Sequence, residues 1–360
     1  MHIGTRKAVA TAAALAIALI ACIAAWLAPV QAWEGGRAVL GFIGRRLENA
    51  VTAQRLELML LAAAPLALEI VLLGWQNSSV FRLLFARKTS AKIDAIIFGI
   101  FLVGLTDALS IILTFGISVE TGRAVSWVLS QYGWNRIALP SEGALPLAAG
   151  FAIYWLLTTF FSYWGHRMMH LPQFWPLHRF HHAATELNMI TSFRQHSVEP
   201  VVLNLLSVVS PLLFFKVSDS ILFIYFLVGT TTDLLAHSQL PWTYGWIGSW
   251  VIQSPRFHQV HHSSEKEHRD LNFSNCPLWD RLFGTRYKGE KIPVAYGIPD
   301  NQYEERPVRQ FAFDAIEFYA GMAKNIRLRF RRRRAPNDQT VQMAESASGN
   351  SSCLSSKLRP

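Results

Sequence analysis

Twelve histidines punctuate the chain, and eight of them fall into three groups of fixed spacing. His166 and His170 are four apart. His178, His181 and His182 form an H-x-x-H-H triplet, and His258, His261 and His262 form a second. Residues three and four apart share a helix face, so each group is expected to aim its imidazoles at one point. Eight imidazoles exceed what one tetrahedral or octahedral ion takes, so the pattern predicts two metal ions, each held by several imidazoles with an open position. Imidazole suits iron, zinc, copper and nickel, and the ligand set alone does not choose among them. Zinc would hydrolyse through an activated water, usually with a nearby Glu base; Arg167 and Arg179 stand where an H-E-x-x-H motif would place that Glu. Iron beside lipid would do oxygen chemistry on C–H bonds, out of reach of side-chain acids and bases. Two function classes therefore stand. One is O2-dependent redox chemistry on C–H bonds; the alternative is a non-redox metal-binding or transport protein, or a zinc hydrolase, using the same histidines.

The elements that must position these groups read as membrane helices. Of 360 residues, 51% are hydrophobic and only 16% charged, with apolar runs near twenty residues, a composition expected of a membrane protein. Arg6 and Lys7 precede a run from Ala8 to Leu27, which reads as an uncleaved anchor in preference to a signal peptide cut after Ala32. Further runs are expected over 56–73, 93–117, 145–164, 201–215 and 221–236, the fifth short enough for a half-span. Asp107, in mid-run, is expected to bond a neighbouring helix. Arg82, Arg87, Lys88 and Lys92 are unaccompanied by acids and predict a cytoplasmic segment, whereas 118–144 balances Arg123 and Arg136 against Glu120 and Glu142. That orientation puts every histidine of the three groups on the cytoplasmic face, beyond the span ends, which speaks against transport. The expected fold is all-α: a polytopic membrane domain of four to six spans under a cytoplasmic helical cap holding a histidine-rich dimetal site.

Trp242, Tyr244, Trp246 and Trp250 predict segments lying at the membrane interface. The basic cluster Arg327–Arg334 suits anionic headgroups; nucleic acid is not an expected partner. Cys22, Cys276 and Cys353 are scattered and support neither a disulfide framework nor a cysteine zinc site. Asp270, Asn272 and Asp280 are candidates to accept ligand N–H groups, with turn and helix-cap chemistry as the competing role. His268 lies in a charged stretch expected to be solvated, and His2 is terminal.

The motifs His166-x3-His170, His178-x2-His181-His182, His258-x2-His261-His262, Asn272-Phe and Trp279-Asp-Arg-Leu-Phe-Gly-Thr285 resemble the fatty acid hydroxylase/sterol desaturase superfamily of membrane di-iron oxygenases. The stretch from Thr185 to His196 is similar to its sterol desaturase and alkylglycerol monooxygenase branch. The resemblance covers about 145–288. It implies two iron ions as cofactor, O2 as co-substrate, and His166, His170, His178, His181, His182, His258, His261 and His262 as ligands. It also matches His237 to a further ligand position and His196 to a ligand or supporting histidine. Some members carry a histidine where this chain has Asp233, which is expected to orient His237 from behind. Within the oxygenase reading, hydroxylation and desaturation share ligands, and the substrate is a membrane lipid (sterol, fatty acyl or related). No dinucleotide-binding Gly pattern or haem-attachment motif is present, so a separate electron donor is implied, of ferredoxin or cytochrome type with its reductase. The basic cytoplasmic face suits an acidic donor, with topology and lipid contact as the competing account.

The expected organisation is an anchor and loop over 1–54, membrane helices without family motif over 55–144, the catalytic domain over 145–290, a basic segment over 291–334 and a disordered tail over 335–360.

Overall fold

The computed structural model describes residues 53–85, 88–102, 105–113, 127, 136–289, 293 and 295–334. The expected anchor, the loop around Arg123 and the expected disordered tail lie outside them. The chain divides into two compact units, Met1–Ile316 and Glu317–Pro360, and every histidine of interest lies in the first.

The described chain is mostly helical. The N-terminal helices are α1 (Ala53–Leu73), α2 (Ser79–Leu84), α3 (Thr89–Leu102) and α4 (Leu105–Leu113). After the short strand β1 (Ile137–Ala138) comes α5 (Ala144–Met169), the longest apolar helix. Then follow α6 (Trp175–His182), α7 (Glu199–Asn204), α8 (Ser210–Phe214), the strand β2 (Phe215–Lys216) and α9 (Asp219–Ala236). Three short helices, α10 (Gly245–Trp250), α11 (Pro255–His261) and α12 (Pro277–Leu282), precede the last, α13 (Pro307–Arg334).

Among the described residues, α5 and α9 are long and apolar enough to cross a membrane. Ala144 to His166 spans about 33 Å and Asp219 to His237 about 27 Å at 1.5 Å per residue, close to the roughly 30 Å hydrocarbon core. Both helices start at one end, where β1 and β2 pair in parallel, and both finish at the histidines. Their contact is an apolar cluster of Leu139, Tyr154 and Ile221. Gly150 is required there, because a Cβ would collide with the Pro140 carbonyl.

The expected run over 201–215 is a complete return stroke. Glu199 stands at the histidine end, Phe215 pairs at the strand end, and the helix between them widens into a π turn at Leu205–Val209. Pro211 explains the widening: it has no N–H to give, and its ring would strike the carbonyl four residues back. Of the expected run over 93–117, the described residues are helical over α3 and α4, and 103–104 lie outside the described residues. Asp107 lies in α4, its side chain outside the described residues.

α3 belongs to the core of the histidine end. Ile93 packs with Phe180, Ala183 and Tyr303, and fully burying a side chain such as Phe180 is worth about 1.5–3 kcal/mol. Asp94 accepts from Asn188, Thr191 and Arg194, fixing the turn that follows α6.

Candidate metal centre

α5 ends on His166 and His170, one turn apart. α6 carries His178, His181 and His182, started by Pro176 in its first turn, where a missing N–H costs nothing. α9 ends on His237 as its C-cap. α11, capped by Ser254 at the Phe257 amide, carries His258 and His261 and ends on His262.

These nine histidines form two groups. His166, His170, His178, His182 and His261 bring one nitrogen each within 4.8 Å of one another, and so do His181, His237, His258 and His262. The triplets therefore do not each aim at one point, contrary to the expectation. At about 100° per residue, positions i+3 and i+4 diverge by about 100°. His178 and His182 accordingly share the five-membered group while His181 crosses to the other, and α11 mirrors this with His261 crossing over.

The hydrogen bonds behind the rings fix the tautomers. Nδ1 of His166 donates to the Phe273 carbonyl, His261 to Leu271, His181 to Arg194 and His237 to Asp233, at 2.7–3.2 Å. Each then carries its proton on Nδ1 and presents a bare Nε2 lone pair inward. The Nε2 atoms meet at 3.0 Å for His166–His178, 3.1 Å for His178–His182, 3.3 Å for His181–His237, 2.9 Å for His237–His258 and 3.0 Å for His258–His262. Convergent lone pairs repel unless a cation lies between them. Two nitrogens at about 2.1 Å from one ion stand roughly 3.0 Å apart at a right angle and roughly 3.4 Å apart in a tetrahedron. The observed separations of 2.9–3.3 Å match imidazoles that share one ion. Burial holds His170, His178, His181, His182, His258, His261 and His262 below the usual histidine range, keeping them neutral and ready to ligate at neutral pH.

Residues 270–273 form a strap behind the five-histidine group. Asp270 Oδ1 meets His170 Nδ1 at 3.2 Å, and the Leu271 and Phe273 carbonyls hold His261 and His166. The His170 contact holds the Asp270 carboxyl below its usual range. Asp280 does not touch a ligand; it accepts from Phe273 N, Ser274 N and the Thr285 hydroxyl, and so fixes the strap. Asn272 bonds the Phe257 carbonyl and the Tyr287 amide, tying the strap to α11. Asp233 stands behind His237 chiefly through its backbone: the carbonyl holds Nδ1 at 2.9 Å, while the carboxylate is 3.8 Å away and 39% exposed.

His196 is the one expected ligand that the structure leaves out of both groups. It stacks on Phe311, Nε2 faces the Phe311 carbonyl and Nδ1 accepts from Val198 N; burial lowers it to about 4. His268, expected to be solvated, is fully buried, with Nδ1 at Ser263 Oγ and its ring edge-on to Tyr287. It lies near the carboxylates of Glu265 and Glu267 in a third, smaller set of ligand-type atoms. Arg167 and Arg179 are turned inward, Arg167 onto Tyr163 and the Trp164 ring, Arg179 onto Asp314.

Glu199 escaped the sequence reading. Its Oε1 lies 2.6 Å from His178 Nδ1, both side chains buried. The signal was a lone acid at the head of an apolar run, a place where hydropathy alone would not put one.

No curated protein and no solved structure is significantly similar to the chain. Residues 151–285, which contain all nine converging histidines together with the strap and Glu199, match the sequence profile of the family described as fatty acid hydroxylase. The match places this segment, 151–285, with the fatty acid hydroxylase/sterol desaturase superfamily, a membrane-associated oxidoreductase family with a histidine-rich metal site.

Proposed function

We propose that the protein is a membrane-bound, O2-dependent di-iron oxidoreductase that hydroxylates or desaturates a lipid on the cytoplasmic side of its membrane. The observation that carries the reading is the pair of converging imidazole sets, five and four strong, at the ends of apolar helices. His166, His170, His178, His182 and His261 would hold one iron, and His181, His237, His258 and His262 the other. Bound there, two redox-active irons would supply the O2 activation that an unactivated C–H bond demands.

The chain's own residues have separable tasks. Carbonyls of Arg194, Asp233, Leu271 and Phe273 hold protons on Nδ1 atoms and leave Nε2 free. Burial strips water from the cluster, which protects reactive species from side reactions. α5 and α9 run from the hydrocarbon core to the ligands, so a lipid chain or ring lying along them reaches the cluster without leaving an apolar surface. We assign the substrate to the sterol-like or acyl class. Electrons come from a separate ferredoxin- or cytochrome-type donor with its reductase.

Anaerobic iron reconstitution of the purified chain, coupled to lipid profiling of cells with and without it, tests the reading. The expected result is about two irons per chain and one lipid class altered in an O2-dependent way. Saturation at one ion, or turnover supported by zinc without O2, would overturn it in favour of a hydrolase.

A further inference from the structure

The two histidine groups differ in what stands behind them. The four-histidine group is backed by backbone carbonyls, of Arg194 at His181 and of Asp233 at His237; its nearest carboxylate, Asp233, stands 3.8 Å from His237 Nδ1 and is 39% exposed, and no side chain bonds Nδ1 of His258 or His262. The five-histidine group has two carboxylates behind it. Asp270, at His170, has a 65% exposed side chain, so solvent screens most of its charge. Glu199, at His178, is 1% exposed, and among the described residues His178 is its one ion-pair partner. Its second oxygen is buried without a protein hydrogen bond.

A carboxylate buried without a guanidinium or ammonium beside it costs several kcal/mol. Glu199 bears that cost directly behind a histidine of the five-membered group, its Oε1 2.6 Å from His178 Nδ1. His178 Nδ1 lies 2.6 Å from Glu199 Oε1, while its Nε2 faces the Nε2 atoms of both His166 and His182. Its proton is therefore on Nδ1, donated to Glu199. A cation on Nε2 then meets an imidazole whose basicity the carboxylate raises, and it supplies the counter-charge that Glu199 otherwise lacks.

We propose that Glu199 is a positioning residue that orients His178 and makes the five-histidine group the tighter of the two metal sites. The inference rests on the two-metal reading above, but it concerns metal affinity and needs no turnover to test.

The test is a cobalt(II) titration of the detergent-solubilised full chain, followed by ligand-field absorption, in the parent and in Glu199→Gln, which keeps the shape and an acceptor oxygen but drops the charge. The parent should bind two ions. In Glu199→Gln one affinity should fall about 10–100-fold, the usual cost of removing a partner from behind a ligand, and the other should hold. Two backgrounds locate the effect: it should persist with His258→Ala, which disables the four-histidine group, and vanish with His261→Ala, which disables the five-histidine group. Thermal unfolding of the metal-free protein separates positioning from general support. Glu199→Gln should melt no lower than the parent, because the amide keeps the shape and an acceptor oxygen for His178 Nδ1. Equal weakening in both backgrounds, no weakening in either, or a lower metal-free melting point would overturn the proposal while leaving the two-metal reading intact. A parent that binds fewer than two cobalt ions would overturn both.

Discussion

A single residue step decides which group a histidine joins. His261 and His262 are neighbours in the chain, yet they belong to different groups, and the same holds for His181 and His182. Replacing His182 or His261 should deplete one ion, and replacing His181 or His262 the other. The double variant His182→Ala with His261→Ala should therefore retain about one metal per chain, whereas His261→Ala with His262→Ala should retain almost none. Metal analysis of the two purified proteins decides it, and equal contents would mean that the groups are not separate. His196 makes the contrast from outside the cluster. Buried and lowered to about 4, it resists protonation in the folded chain, whereas the unfolded chain takes the proton near pH 6.5. A depressed histidine pKa contributes its stability fully above the unfolded value and loses it as pH falls toward the folded one. The parent should lose on the order of 3 kcal/mol from this residue between about pH 6.5 and 4, and His196→Asn should show a correspondingly shallower acid dependence. If the two acid-unfolding curves have the same slope, His196 is not a buried neutral ring.

At the scale of elements, the strap over 270–273 holds three of the five ligands, and Asp280 holds the strap. Asp280→Ala strands two amides and a hydroxyl in a buried place, each worth about 1–3 kcal/mol. The variant should melt lower and lose metal from the five-histidine group first, since His166, His170 and His261 lean on that segment. Loss of both ions in step would contradict the strap's selectivity. Much of this centre was legible in the sequence. The eight spaced histidines were readable because their spacing is local, and His237 was readable as the end of an apolar run. What was not legible depends on partners far along the chain. The splitting of each triplet follows from α6 and α11 facing one another. His196 lies two residues from Arg194, whose carbonyl does hold a ligand, but its own ring is claimed by Phe311. The charged neighbourhood of His268 suggested solvent, and Ser263 and Tyr287 enclose it instead. The run over 93–117 gave no sign that its start belongs to the histidine end, a placement that depends on Asp94 meeting Asn188, Thr191 and Arg194.

For the whole molecule, the decisive feature is that the histidines and the strand pair stand at opposite ends of α5 and α9. Arg82 and Lys88 pair with Glu186, so the basic segment whose charge predicts a cytoplasmic location lies at the histidine end. The loop before α5 and the β2 segment, with Glu142 and Lys216 exposed, lie at the other. Charge bias and geometry therefore make one joint prediction about sidedness. In a chain with Cys22→Ser and Cys353→Ser, the Glu142→Cys and Lys216→Cys variants should react with a membrane-impermeant thiol reagent on intact cells. The Lys88→Cys and Arg269→Cys variants, at exposed positions of the histidine end, should react only after permeabilisation. Cys276 is buried and should stay silent in both states. Full reversal of the pattern would leave both helices crossing and put the metal centre on the far side of the membrane, removing it from cytoplasmic electron donors. Labelling of Glu142→Cys and Lys88→Cys from one side would be more damaging. It would mean that α5 does not cross, and that the lipid must reach the histidines by a route other than the length of that helix.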